Sequence, residues 1–237
     1  MPAEVHRAAV WNNVMVEASR IANQDETLAR IRKRQIFLAL TRVLARKSFH
    51  EATVKEIALE AGLAAGSIYV YLNSKAEILL VMVESMVGEL TDALPAIRAR
   101  TEGDPRRELL GIMRAALDVI GRYPEAFAVI NHEAHYLVRR PEFRARLMGI
   151  VIGYKSALKE ALERGRALGV IHYEHLPSAV EAIHMLCSGL ATGGDQLARI
   201  DKETYWREIT GILEGRFFNP ERTPDAGALQ RKTTGRS

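Results

Sequence analysis

Between positions 53 and 77 the chain reads TVKEIALEAGLAAGSIYVYLNSKAE. Within it Ser67, Tyr69, Tyr71 and Lys75 place three hydroxyls and a cation beside two small residues, Ala65 and Gly66. No histidine or cysteine accompanies them, so no nucleophile–base arrangement for bond cleavage is present in this stretch. The chemistry is that of contact with a polyanion. A serine hydroxyl can bond a base edge, a tyrosine can reach a phosphate or a thymine methyl, and an ammonium can sit against a phosphate. Small residues let a backbone approach the groove closely. Thr53, Ala65, Gly66, Ser67, Tyr69, Tyr71 and Lys75 are the expected DNA-facing set.

Local signals say which elements carry these groups. Thr53 and Glu56 have the spacing of a capping box, in which hydroxyl and carboxylate each satisfy an orphan backbone N–H. Val54, Ile57, Ala58 and Ala61 then form an apolar stripe at helical period. Gly62 follows, where a positive φ would stop the helix. A second helix is predicted over about 65–71, turning Ile68 inward. Ser74 and Glu77 repeat the capping-box spacing and open a third helix. Two helices around a tight glycine turn, the second beginning with small residues, make a helix-turn-helix. Such a unit presents the N-terminal residues of its second helix to the major groove. The competing reading is a helical hairpin inside an ordinary bundle.

These residues resemble the signature of the TetR (tetracycline-repressor-like) family. They are Thr53, Ala61-Gly62, Gly66-Ser67-Ile68-Tyr69-Val70-Tyr71 and Ser74-Lys75, within a stretch of roughly 28–80. Two positions depart from the pattern. Ala64 stands where a Ser or Thr usually caps the recognition helix, a loss worth about 1 kcal/mol. Leu72 stands in place of the usual Phe. Neither removes a DNA-facing group.

Charge points the same way. From Leu28 to Lys75 there are nine basic and three acidic residues, an excess of six, against +4 for the whole chain. The rest therefore carries a net −2. Positive charge concentrated on the motif is what phosphate neutralisation and counterion release require.

At 237 residues and 48% hydrophobic content, the chain can build one large or two modest cores. Prolines are few and strand-type alternation is absent, so the fold class is all-α. A lone Cys187 excludes an internal disulfide framework and suits a reducing cytoplasm. No apolar run approaches the ~20 residues of a membrane span, and no signal-peptide core is evident. We expect a cytoplasmic protein with no membrane partner and no cofactor.

Four parts are expected: an extension over 1–25, helical in pattern; a helix-turn-helix DNA-binding domain of three helices over 26–74; a helical ligand-binding and dimerisation domain over 75–218; and a disordered tail over 219–237. The first helix, about 26–47, carries Ile36, Phe37, Leu40, Val43 and Leu44 inward. A helix beginning at Lys75 runs to about Arg100, and its continuity would carry movement between the domains. Asp104-Pro105, Pro124 and Pro141 mark three further starts, the last opening a long helix that closes near Gly169. Ser178 and Glu181 look like another capping box, opening a helix to about Arg199, and a last helix runs from about Tyr205 to Phe217.

The resemblance implies two further surfaces. One is a four-helix dimer interface from the last two helices, with Ile183, Leu186, Leu190, Trp206, Ile209 and Leu213 meeting a second copy. A twofold dimer would present recognition helices to half-sites about 34–36 Å apart on a palindrome. The other is an effector cavity among the middle helices. Its candidate lining is Phe127, Ile130, Asn131, Glu133, Ala134 and Tyr136, with Met86, Leu90, Met113, Leu117, Met148 and Ile152 as adaptable apolar contacts. A small, largely apolar effector would suit such a lining. Repression, with release by the effector, is the family's habit.

Other classes fit less well. His132 and His135 are three apart, not the four of a His-Glu-x-x-His zinc helix, and no repeated Glu-x-x-His of a di-iron bundle occurs. No phosphate loop or nucleophile elbow stands out. A helical metal- or carboxylate-dependent enzyme and a helical protein-interaction module remain the alternatives. The extension carries Arg7 and Arg20, which could add DNA contacts to a helix otherwise suited to packing.

Overall fold

The computed structural model describes residues 26–72, 74–192 and 201–218. The extension over 1–25 and the tail over 219–237, with the expectations attached to them, lie outside the described residues. The chain divides into two compact units, Met1–Asn73 and Ser74–Ser237.

In the first unit, helix α1 spans 26–44, α2 Val54–Glu60 and α3 Ala65–Ile68. Its core is the apolar stripe of α1 closed by the other two: Ile36, Phe37 and Leu40 are fully buried, as are Ile57, Ile68 and Leu72. The Leu72 side chain thus fills an interior position, as the Phe it replaces in the family pattern would.

The second unit begins with α4, Lys75–Arg100, followed by α5, Pro105–Arg122, α6, Pro124–Val138, and α7, Pro141–Ala167. After a turn come α8, Leu176–Thr192, and α9, Lys202–Arg216. α4 packs against α5, α6 and α7; α8 lies against α5, α6 and α7; α9 rests on α5. Among the described residues there is no strand, only one isolated antiparallel bridge, Ile171 to Phe218. The proline starts act as expected. Asp104 caps α5 by accepting from the Arg106 and Arg107 N–H groups, with Pro105 at the first position. α7 ends before Gly169, whose φ of 71° admits the reversal.

Two capping expectations are corrected. Ser74 caps α4 by accepting from the Glu77 N–H at 3.2 Å. The Glu77 carboxylate does not return to Ser74; it binds Arg146 on α7, because a guanidinium is a stronger partner than a backbone N–H. Ser178 does not open α8. The helix starts two residues earlier, at Leu176, and the Ser178 hydroxyl lies 2.9 Å from His175 Nδ1 while Glu181 pairs with Lys155.

Candidate functional site

The helix-turn-helix is held from its own residues outward. Thr53 Oγ1 accepts from the Glu56 N–H at 3.2 Å, and Glu56 Oε2 accepts from the Thr53 N–H at 3.0 Å. Thr53 also donates its hydroxyl proton to that carboxylate at 2.9 Å, so its side chain is committed to the cap. Gly62 has φ +65°, and past it the Leu63 N–H reaches back to the Ala58 carbonyl at 2.9 Å. Gln35 of α1, a residue that periodicity does not single out, donates to the Ala61 carbonyl at 2.6 Å and pins the turn.

The recognition helix α3 is shorter than expected. It is regular over Ala65–Ile68 and continues as turns, with the Tyr71 and Leu72 N–H groups both bonded to the Ile68 carbonyl. Ala64 occupies the N-cap in extended geometry with no side-chain bond to the helix. Gly66 and Ser67 are exposed, Tyr69 is 55% exposed, and Tyr71 is half-buried. Val70, between the tyrosines, is 76% exposed. It is not among the expected contacts, yet an exposed branched methyl pair at this place is suited to a thymine methyl. Ala65 opens α3 and Lys75 opens α4; their side chains are outside those described.

The surrounding cations are not all available to phosphate. Arg42 and Arg46 both bind Glu60, each at 2.6 Å, and Lys47 binds Glu56. The Lys47 ammonium and the Thr53 cap together pull the Glu56 carboxyl from its ordinary 4.5 down to about 2. Arg46 and Arg42 likewise hold Glu60 low. Net charge read along the sequence therefore overstates the unpaired charge of this unit.

In the second unit α4, α5, α6, α7 and α8 line a partly open cavity of about 190 Å³. Of the residues proposed from sequence to bind a ligand, Met86, Leu90, Phe127, Ile130 and Asn131 lie in its lining. Other expectations are corrected. Met148 and Ile152 are 47% and 61% exposed, while Leu147, Val151 and Tyr154 of α7 face the cavity. A step of one residue turns a helical side chain by about 100°, so 147, 151 and 154 share a face that 148 and 152 do not. Met113 and Leu117 are fully buried packing residues of α5, where Ala116, Val119 and Ile120 supply the wall. Glu133 is engaged by His132 at 3.0 Å and is not part of the lining. The side chains of Ala134 and Tyr136 are outside those described.

α8 contributes a polar strip that sequence reasoning missed: His184, Cys187 and Ser188. Tyr154 Oη and His184 Nδ1 are 2.6 Å apart. Burial favours the neutral form of each, raising the Tyr154 phenol and lowering the His184 imidazole. Cys187 is buried, and its thiol is pushed up to about 12 by desolvation, which makes it a packing group and a poor redox sensor. Among the described residues no three His, Cys, Asp or Glu side chains gather as a metal centre needs, and no helix is long and apolar enough to cross a membrane.

The expected dimer residues divide. Ile183, Ile209 and Leu213 are buried within their own chain and cannot form the outer face of α8 and α9. Leu186 and Trp206 are half-buried, and the Leu190 side chain is outside those described. The apolar groups these helices do expose are Met185, at 58%, and Ile212, at 50%. A broad apolar stripe on a helix cannot say which edge faces inward until its neighbours are placed.

A helix-turn-helix unit followed along the chain by a helical unit with an apolar pocket is an arrangement shared with helix-turn-helix regulators. Residues 36–82 match the family model described as bacterial regulatory proteins, tetR family. The fatty acid metabolism regulator protein of Bacillus subtilis (strain 168) is 28% identical over 142 residues, 58% of this chain and 69% of that one. Among solved structures, the TetR family regulator PfmR from Thermus thermophilus has a TM-score of 0.60 at 19% identity, covering 79% of this chain and 99% of that one. FadR from Bacillus subtilis, in complex with stearoyl-CoA, has a TM-score of 0.62 at 22% identity, covering 76% of this chain and 96% of that one. The helix-turn-helix segment thus matches the tetR family of bacterial regulatory proteins, and the fold resembles that of solved TetR-family regulators.

Proposed function

We propose that this protein is a homodimeric repressor that binds a palindromic operator in the cytoplasm and is released by a small, largely apolar effector. It acts by binding equilibria and not as an enzyme. The observation that carries the effector half is the cavity, walled by Val83, Met86, Leu90, Phe127, Ile130 and Val151. A cavity of this composition rewards burial of an apolar molecule. The likeness to regulators of fatty acid metabolism, one of them seen with stearoyl-CoA, supports an acyl-type effector. The exposed Gly66, Ser67 and Tyr69 support the DNA half. For release, the effector must bind the DNA-incompetent state more tightly than the competent one.

The test is fluorescence anisotropy with the DNA upstream of the protein's own gene, combined with a thermal-shift screen of apolar compounds. We expect salt-dependent binding by a dimer and loss of binding with the compounds that stabilise the protein. DNA affinity that is absent, or that does not fall with salt, would sink the proposal in favour of a protein-interaction module.

A further inference from the structure

Past the end of α3 the backbone completes one more turn. Tyr69 keeps right-handed helical geometry, with φ −66° and ψ −15°. The Leu72 N–H then bonds the Ile68 carbonyl at 2.8 Å. Ile68 and Leu72 are both fully buried and fix the inward direction of this turn. At about 100° per residue, the positions opposite that pair are Gly66 and Val70, with Ser67 and Tyr69 to either side. Exposure agrees, at 76% for Val70 against 55% for Tyr69. Gly66 has no side chain, and a Cβ there would meet nothing within 4 Å. Val70 is therefore the side chain that stands outermost on this face.

The face lies within residues 36–82, which match the tetR family model, so what it meets is the DNA major groove. α3 is only four residues long, Ala65–Ile68. About 6 Å of helical rise separates Gly66 from Val70, within about two base-pair steps of 3.4 Å. Valine has no donor or acceptor, and its branched side chain has few rotamers to lose on contact. Of the groups that bases present in the major groove, the thymine C5-methyl is the apolar one; the rest are donors and acceptors. Set against those, an aliphatic side chain displaces water and returns no hydrogen bond. Against the methyl it buries apolar surface. Ser67 discriminates less, because a hydroxyl bonds several base edges.

Resting on the DNA half of the function given above, we propose that Val70 selects thymine, through its C5-methyl, at one position in each operator half-site. Gly66 allows the approach, since no side chain on its part of that line holds the backbone away from the bases.

The experiment uses the DNA upstream of the protein's own gene, amplified once with dTTP and once with dUTP, which differ only in the C5-methyl. Anisotropy at one fixed salt concentration gives the affinities of the native protein and of Val70→Ala for both DNAs. A lost methyl contact is worth about fourfold in each half-site, or more than about tenfold for a dimer on both. The native protein should bind uracil DNA weaker by that factor. Val70→Ala should bind thymine DNA weaker by a similar factor and lose little further on uracil DNA. Comparing the two losses cancels any change in DNA stiffness that uracil brings. Circular dichroism should show native helix content in the variant, because the side chain lies outside the core. Uracil DNA bound by the native protein as tightly as thymine DNA would overturn the inference without any variant. An equal uracil loss in native protein and Val70→Ala would also overturn it, by assigning the methyl to another side chain. Salt-dependent binding that ignores the methyl would overturn this inference alone; no salt-dependent binding at all would overturn the DNA reading and the inference with it.

Discussion

Arg146 of α7 holds both carboxylate oxygens of Glu77, in the first turn of α4, at 2.7 and 3.1 Å. The pair is bidentate, which gives it direction as well as charge. α7 also supplies Leu147, next in sequence to Arg146, to the cavity wall. On the proposed function, a ligand that moves this stretch of α7 would pull on the start of α4. We therefore expect Glu77→Gln to leave effector affinity and operator affinity each nearly intact while lowering the coupling between them several-fold. The measurement is the operator Kd with and without saturating ligand; mutations along such connections shift coupling by roughly 0.5–2 kcal/mol. An unchanged ratio would show that the pair is a structural clasp only.

The recognition helix lacks its cap. Ala64 already has the extended geometry of an N-cap residue, so a hydroxyl there needs no backbone adjustment. Ala64→Ser should stabilise the DNA-binding unit by about 0.5–1 kcal/mol. Differential scanning calorimetry should show a rise of a few degrees in its transition.

Tyr69 is exposed beside the small residues of α3, and it has no part in the core. Tyr69→Ala should weaken operator binding about tenfold or more with unchanged helix content and dimerisation, on the scale of a lost groove contact. Lys75→Ala should weaken binding to all sequences alike and reduce the slope of log K against log salt by about 1. Anisotropy titrations at several salt concentrations separate the two. Native-like binding by both variants would misplace the DNA surface.

Glu56 links the fold to acid. Its carboxylate is depressed to about 2 by Lys47 and the Thr53 cap. Depression in the folded state means that the unfolded chain takes up the proton first. The stabilisation is complete above the unfolded value of 4.5 and is lost as pH falls from there toward about 2. Glu56→Gln should lower the urea midpoint at neutral pH, with the difference from the native protein shrinking through that acid window. A difference independent of pH would assign the effect to helix packing.

Much of this protein is local, and local features are legible. The Thr53 cap, the Gly62 reversal and the Asp104-Pro105 start depend on residues within a few positions of one another, so spacing is sufficient to find them. The helix-turn-helix is built from such features, and its exposed Gly66, Ser67 and Tyr69 follow from it. Nothing in residues 65–71 marks the end of α3 at Ile68, so periodicity overextends that helix. Met148 and Ile152 fail as cavity residues because apolar character alone ignores the stripe that Leu147, Val151 and Tyr154 make.

What sequence by itself determined is the order of helices, the Thr53 and Asp104 caps and the helix-turn-helix reversal at Gly62, because each rests on short-range hydrogen bonds and backbone geometry. Tertiary structure alone decided the rest. It spent Glu77 on Arg146, paired Arg42 and Arg46 with the one carboxylate of Glu60, buried Ile183, Ile209 and Leu213 inside one chain, and brought Asn131, Tyr154 and His184 to one cavity. The ion pairs among these join residues 14 to 69 positions apart. Such pairings are chosen by how helices pack, and the helical period says only which residues share a face, never what that face will meet.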